Sequence, residues 1–187
     1  MADVATLVNR CRQGDGLAWE ALVRRFQSRV YAVSYHYMRD ADEARDVAQD
    51  IFVRVYERLD GYDGASAFIA WLLRVSRNVC IDRLRRRSAR PPASDVLLDD
   101  GVELAAGGPS PEEEAGSSAR KVLLYRALNG MSDKNREIIL LKEIHGLKIE
   151  KISEMLGLPV GTVKSRSSRA RIELATRVRA LAPSYGV

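Results

Sequence analysis

The chain has 187 residues, 46% of them hydrophobic and 29% charged, with a formal net charge of +5. That composition argues against global disorder, and the longest apolar run, which contains Phe68 to Leu73, is too short to cross a bilayer, so no membrane insertion is expected. Two distant cysteines and the lack of a secretory pattern argue against a disulfide scaffold and predict a cytoplasmic protein.

A first helix is expected over Asp3 to Arg12, with Val4, Leu7, Val8 and Cys11 on one face. A longer one runs from about Leu17 to Met38, its apolar line at Leu22, Phe26, Val30, Val33 and Tyr37. Asp40 can cap the next helix, with Glu43 completing an Asp-x-x-Glu capping pattern. Ala44, Val47, Ala48, Ile51, Phe52, Val55 and Leu59 give that helix a broad apolar stripe. Beside the stripe lie Asp46, Gln49, Asp50 and Arg54, next to the partly exposable Phe52 and Val53. Acidic and amide groups around an apolar centre suit protein docking better than DNA, although a plain amphipathic helix fits the periodicity nearly as well.

The segment Asp60 to Ser66 breaks the pattern with two glycines, and Ser66 can cap a fourth helix from Ala67 to about Arg87. Phe68, Leu72, Val75 and Val79 are its expected packing face. Asn78, Asp82 and Arg85 recur at i, i+4 and i+7 on its outer side, bordered by Arg77 and extended by Arg74 and Arg86. One acid among six arginines does not suit catalysis. With Tyr62 offered by the preceding loop as a stacking ring, the surface suits single-stranded nucleic acid or an unstacked base. A solvated helix end beside a structural tyrosine is the plain alternative.

Residues 90–119 change character. Four of the six prolines, four glycines and the run Glu112 to Glu114 fall between Arg90 and Ser118, and no helical period survives there. This predicts a flexible acidic linker. Residues 1–88 carry net charge +3, residues 89–119 net −6 and residues 120–187 net +8. Two basic blocks separated by an acidic one suggest two modules facing a polyanion.

In the second block, helices are expected from Arg120 to Asn129, from Ser132 onward with Ile138, Leu141 and Ile144 inward, from Ile149 to Leu156, and from Val160 to about Leu181. The expected fold is all-α: two small helical domains, residues 1–89 and 120–187, joined by the linker 90–119. Ile149 to Leu174 reads as a helix-turn-helix. Gly157 leaves the first helix, Leu158 plugs the corner, and Pro159 suits a helix start. Val160 and Val163 are expected to face back, leaving Thr162, Lys164, Ser165, Arg166 and Arg169 outward for base edges and phosphates in a major groove. Ser167 falls where a large apolar residue would complete the inner face. It forgoes about 1–3 kcal/mol of burial relative to leucine unless a neighbour fills the space.

The phrases DEARDVAQDIFVRVYERL, AFIAWLLRVSRNVCIDRLRRR, NREIILLKEIHGLKIEKISEMLGLPVGTVKSR and RAR (Arg169 to Arg171) closely resemble bacterial RNA polymerase sigma factors of the extracytoplasmic-function group. These are the minimal two-domain members of the sigma-70 family, and the resemblance runs from about Leu17 to Arg179. It implies that Asp46, Gln49, Asp50, Phe52 and Val53 dock on a coiled coil of the largest catalytic subunit of core RNA polymerase. It further implies that Arg74, Arg77, Asn78, Asp82, Arg85 and Arg86, with Tyr62 in the loop, open the −10 element and capture a base of its non-template single strand. Thr162, Lys164, Ser165, Arg166, Arg169 and Arg171 would read the −35 element as duplex promoter DNA. An anti-sigma factor covering the polymerase-binding faces is implied as a partner. Ser167 and Ser168 depart from the family's SRLHRAR phrase, Ser153 replaces a frequent alanine, and Lys148-Ile149 also differs, so the promoter sequence does not follow.

No enzyme, metal site or cofactor is expected. His36 and His145 are isolated, and Cys11 and Cys80 read better as buried thiols than as a redox pair. The competing reading is a helix-turn-helix regulator that acts on DNA without core polymerase, and the Arg77-to-Arg85 pattern argues against it.

Overall fold

The computed structural model describes residues 3–64, 67–89 and 122–182, and every regular element among them is helical. They fall into two compact units, one holding residues 3–89 and the other residues 122–182. The expectations for Ser66 as a cap, for the linker 90–119 and for Arg120 lie outside the described residues.

The first unit opens with α1 (Val4–Arg12), which buries Leu7, Val8 and Cys11. Asp15 then caps α2 (Gly16–Met38), accepting hydrogen bonds from the Leu17 and Ala18 N–H groups at 3.0 and 3.1 Å. The same carboxylate meets Arg10 at 2.6 Å, which fixes the corner between the two helices. The Ala18 N–H and the Arg10 guanidinium hold the Asp15 carboxyl below the usual carboxylate range. Sequence periodicity located α2 but not this cap.

α1, α3 and α4 all pack on α2. Its C-terminal half is therefore buried beyond one stripe, with Ala32, Ser34, His36 and Met38 covered along with Val30 and Val33. α2 ends on Arg39 at φ 62°, a left-handed cap without a glycine.

α3 (Ala41–Arg58) starts from Asp40, whose side chain accepts from the Glu43 N–H at 2.7 Å. The expected reciprocal half of that capping pattern is diverted. The Glu43 carboxylate reaches across to Arg83 at 3.4 Å and Arg87 at 3.2 Å on α4. A short 3-10 turn (Leu59–Gly61) follows α3, and Ala67, without a side-chain cap, starts α4 (Phe68–Ser88).

The inward line of α4 differs from expectation: Leu73, Ser76 and Cys80 are buried with Phe68, Leu72 and Val75, while Val79 is only half-buried. Small residues shape this contact. Ser34 and Ser76 donate their hydroxyls to their own helices, at Val30 O (3.2 Å) and Leu72 O (2.8 Å), so neither is left unsatisfied in the interior. Cys80 lies beside Ser34, and burial pushes its thiol up to about 12; burial also raises Cys11. Both cysteines are buried free thiols, poor sources of thiolate.

In the second unit a helix over residues 122–129 (α5) leads to α6 (Asp133–Ile139). α6 then widens into a π-helical turn (Leu140–Ile144). α7 (Ile149–Leu156) and α8 (Val160–Leu181) complete the unit. Leu128, Met131, Ile139 and Ala170 form one cluster of its core, joined by Tyr125 and Leu174, and Ile138, Ile152 and Val163 are buried as well.

Two inward assignments fail here. Ile144 is 39% exposed, because the wider π turn breaks the 3.6-residue register; Leu141 is buried as expected, and Leu140 is buried beside it. Val160 is 36% exposed; the inner line of α8 begins at Val163, and Val160 occupies the opening position, where only one flanking turn can cover it.

The helix-turn-helix corner forms as expected. Gly157 adopts φ 64° and ends α7, and the Leu158 N–H donates to Ser153 O at 3.1 Å. Ser153, the departure from the usual alanine, closes the corner by donating its hydroxyl to Leu158 O at 2.5 Å. Ser167 is 1% exposed, and Lys142 from the π turn reaches it, its ammonium donating to the serine hydroxyl at 3.2 Å. The same ammonium lies 3.6 Å from the Glu143 carboxylate.

Candidate nucleic-acid and protein-docking surfaces

On α3, the line Ala44, Val47, Ile51 and Val55 is buried, so Asp46, Gln49, Asp50 and Val53 necessarily face outward at i, i+3, i+4 and i+7. Val53 is 59% exposed. Phe52 is half-buried, edge-on to Trp19 at 6.3 Å between ring centres. The surface is wider than the sequence suggested. Trp19 also meets Tyr56 edge-on at 5.0 Å, and Tyr56 is exposed. Large side chains at Val53 and Tyr56, outside the core line of α3, were the available signal. Aromatic and aliphatic groups edged by two carboxylates make a protein-docking surface.

α4 presents the other face of this unit. Asn78, Asp82 and Arg85 are all exposed, with Asp82 and Arg85 3.9 Å apart, and Arg74 and Arg86 are exposed as well. Arg77 is half-buried and lies near His36. Burial is the main cause that pushes His36 down to about 4, with Arg39 and Arg77 adding to it, so the imidazole is neutral at pH 7. The arginine run Arg83 to Arg87 therefore divides in two. Arg83 and Arg87 are tied to Glu43, while Arg85 and Arg86 remain on the outer side with Asn78. The sequence showed the run but not the carboxylate, 40 residues earlier, that splits it.

Tyr62 is not a projecting arm. Its half-buried ring packs edge-on against Phe68 at 5.4 Å and tilted against Trp71 at 5.5 Å, and Phe68 in turn meets Phe26. Burial, then the Asp63 carboxylate, raise the phenol, with Arg12 opposing. An aromatic base on this loop would meet a preformed cluster whose edge is Tyr62.

On α8, Thr162, Ser165, Arg166 and Arg169 share one side at i, i+3, i+4 and i+7, with Lys164 exposed next to them. The Ser165 hydroxyl donates to Thr162 O at 3.1 Å. Arg171 sits apart, 4.0 Å from Glu143, on the flank facing the π turn.

One residue that sequence reading did not single out controls how α8 is held. The Glu173 carboxylate accepts from the Ser132 N–H at 3.1 Å, from Asn135 at 2.6 Å and from Arg177 at 3.3 Å. These partners hold its carboxyl below the usual range, Asn135 foremost. Among the described residues no three His, Cys, Asp or Glu side chains are placed to hold a metal, and no helix is long and apolar enough to cross a membrane.

The family model for Sigma-70 region 2 matches residues 22–90, and the model for Sigma-70, region 4 matches residues 121–174. The chain is 32% identical over 180 residues to the ECF RNA polymerase sigma-E factor of Haemophilus influenzae, covering 94% of this chain and 95% of that one. It is 34% identical over 170 residues to the RNA polymerase sigma-H factor of Pseudomonas aeruginosa, covering 88% of each. Among solved structures it is similar to CnrH in complex with the cytosolic domain of CnrY, with 25% identity, a TM-score of 0.62, and 94% and 96% of the two chains covered. The fold is also that of the sigma factor RpoE bound to the anti-sigma factor NepR from Bartonella quintana, at 23% identity and a TM-score of 0.65, with 89% and 98% covered.

Proposed function

The chain belongs to the extracytoplasmic-function group of the sigma-70 family, and from that premise we propose how its two units share promoter-specific initiation with core RNA polymerase. The first unit, residues 1–89, docks on core polymerase through Asp46, Gln49, Asp50, Phe52 and Val53 of α3. Its α4 face, Arg74, Arg77, Asn78, Asp82, Arg85 and Arg86, meets the −10 element as the duplex opens. Cations hold the backbone, while Asn78 and the Tyr62 edge meet a base that has left the stack. The second unit, residues 120–187, lays α8 in the major groove of the −35 element. Thr162, Ser165 and Arg166 face base edges there, and Lys164 and Arg169 face phosphates. Arg171, turned toward Glu143, contributes at the margin. The linker 90–119 lets the two units bind elements separated along the DNA.

The protein acts in the cytoplasm as a regulator with no chemistry of its own. Its relatives in structures with anti-sigma partners support a like partner here, covering the α3 docking face.

One observation carries this reading. Within one small unit, two helices expose opposite chemistries, an acidic and apolar face on α3 and a cationic face on α4. A protein that only bound DNA would need the second and not the first. Reconstitution with core polymerase on a promoter library tests it. Initiation at a defined pair of elements is the expected result, and DNA binding without association with core would sink the proposal.

A further inference from the structure

Arg12, the last residue of α1, belongs to none of the surfaces described above, yet its guanidinium is spent entirely on one short segment. Nε and Nη2 donate to Leu59 O at 3.3 and 3.0 Å. Nη2 also donates to Tyr62 O, and the Asp60 carboxylate lies 4.0 Å from Nε. Leu59 is the cap residue of α3, so its carbonyl belongs to the negative end of that helix, where a cation is favoured. The Tyr62 N–H donates to the same carbonyl at 3.1 Å, closing the 3-10 turn.

Beyond Tyr62 the chain bends at Gly64, φ 74°, toward α4. Tyr62 is thus fixed from two directions. Its main chain is held by α1 and its ring rests on Phe68 and Trp71 at the start of α4.

We infer that Arg12 is a positioning residue for −10 recognition: by clamping two carbonyls of the turn that follows α3, it sets where Tyr62 meets the opened strand. The inference rests on the assignment of α4 and its preceding loop to the −10 element. A planar fork is required, because one group must reach two carbonyls and a carboxylate at once; a lysine ammonium supplies the charge without the span. Without the clamp, the turn remains attached through Leu59 and the Tyr62 ring, but the main chain between them gains freedom. Base preference is more sensitive to such freedom than folding is, since a displacement of about 1 Å already degrades a positioned contact.

The test uses holoenzyme assembled from core polymerase and the full chain, on a library with every −10 and −35 position varied. Arg12→Met should compress the ratio between preferred and disfavoured −10 bases by about tenfold, the scale of losing charged hydrogen bonds. The −35 preferences should stay as they are. Arg12→Lys should restore thermal stability and core affinity toward wild type while leaving the −10 preferences relaxed. Tryptophan emission, from Trp19 and from Trp71 beside Tyr62, verifies folding of each variant's first unit; if Arg12→Met does not fold, Arg12→Lys decides alone. A uniform drop in initiation with an unchanged −10 profile would reduce Arg12 to a structural residue and overturn the inference. Tyr62→Ala and Asn78→Ala on the same library separate the two levels. If neither alters the −10 profile, the assignment of the loop and α4 fails; if they alter it and both Arg12 variants do not, only the positioning role fails.

Discussion

Replacing Glu173 by alanine removes one carboxylate that joins three parts of the second unit. Ser132 is the cap of α6 but makes no side-chain capping bond, and position N3, where a capping box would place glutamate, is Asn135. Glu173 does that work from α8, accepting the Ser132 N–H at 3.1 Å and the Asn135 amide at 2.6 Å while Arg177 approaches at 3.3 Å. Its side chain is 25% exposed, so water recovers only part of what is lost. Two hydrogen bonds to a charged, mostly covered acceptor give an expected cost of about 2 kcal/mol. Both tryptophans, Trp19 and Trp71, lie in the first unit, so tryptophan fluorescence is an internal control that should not move. Hydrogen exchange at the α6 amides should accelerate by roughly 30-fold at neutral pH, the same energy expressed as a ratio. Because the native carboxyl is held low, the wild-type advantage should be complete above the unfolded glutamate pKa and vanish as pH falls through the native value. Unchanged α6 protection, or an equal loss in the tryptophan-reported unit, would refute this account of how α8 is anchored.

The buried neutral His36 predicts acid sensitivity in the first unit. The unfolded chain takes up the proton near pH 6.5 and the folded one only at about 4, so stability is full above pH 6.5 and about 3 kcal/mol is lost on going to pH 4. Urea titrations read by tryptophan emission should show that slope, and His36→Gln should flatten it. Val53→Asp places a charge on an exposed site, so stability should change by less than about 0.5 kcal/mol. Competition for core polymerase should nevertheless weaken at least about tenfold, as an unpaired charge enters a docking face; retained affinity would remove Val53 from the interface. Arg169→Ala should weaken −35 duplex binding and reduce the slope of log affinity against log salt by about 1. Ser167→Ala takes the acceptor from Lys142 and should cost about 1 kcal/mol in the second unit, a loss absent when Lys142→Met is already present.

Helix identity and helix faces were legible because they depend on neighbours three and four residues away. Ala44, Val47, Ile51 and Val55 announce the buried side of α3, and the outward placement of Asp46, Gln49, Asp50 and Val53 follows from the pitch alone. The same holds for Asn78, Asp82 and Arg85 on α4 and for the Gly157 corner ahead of α8. Register failed at the π turn, where the pitch itself changed and Ile144 is exposed, and on α4, where Leu73, Ser76 and Cys80 take the inward line and Val79 is only half-buried.

By itself, then, the sequence determined two all-helical units, the family the chain belongs to, and which helix faces carry charge. Tertiary structure alone decided which of those polar groups remain available to a partner. Glu43 withdraws Arg83 and Arg87 from the cationic face, Glu173 is committed to the start of α6, Lys142 is hydrogen-bonded to Ser167, and Arg12 holds the loop at Leu59 and Tyr62. The side chains in these pairings stand between 25 and 50 residues apart, as at Lys142–Ser167 and Arg12–Tyr62. No local period encodes such contacts. They exist because packing the apolar stripes brings particular helices side by side, and a charged group then meets whatever acceptor the neighbouring helix presents.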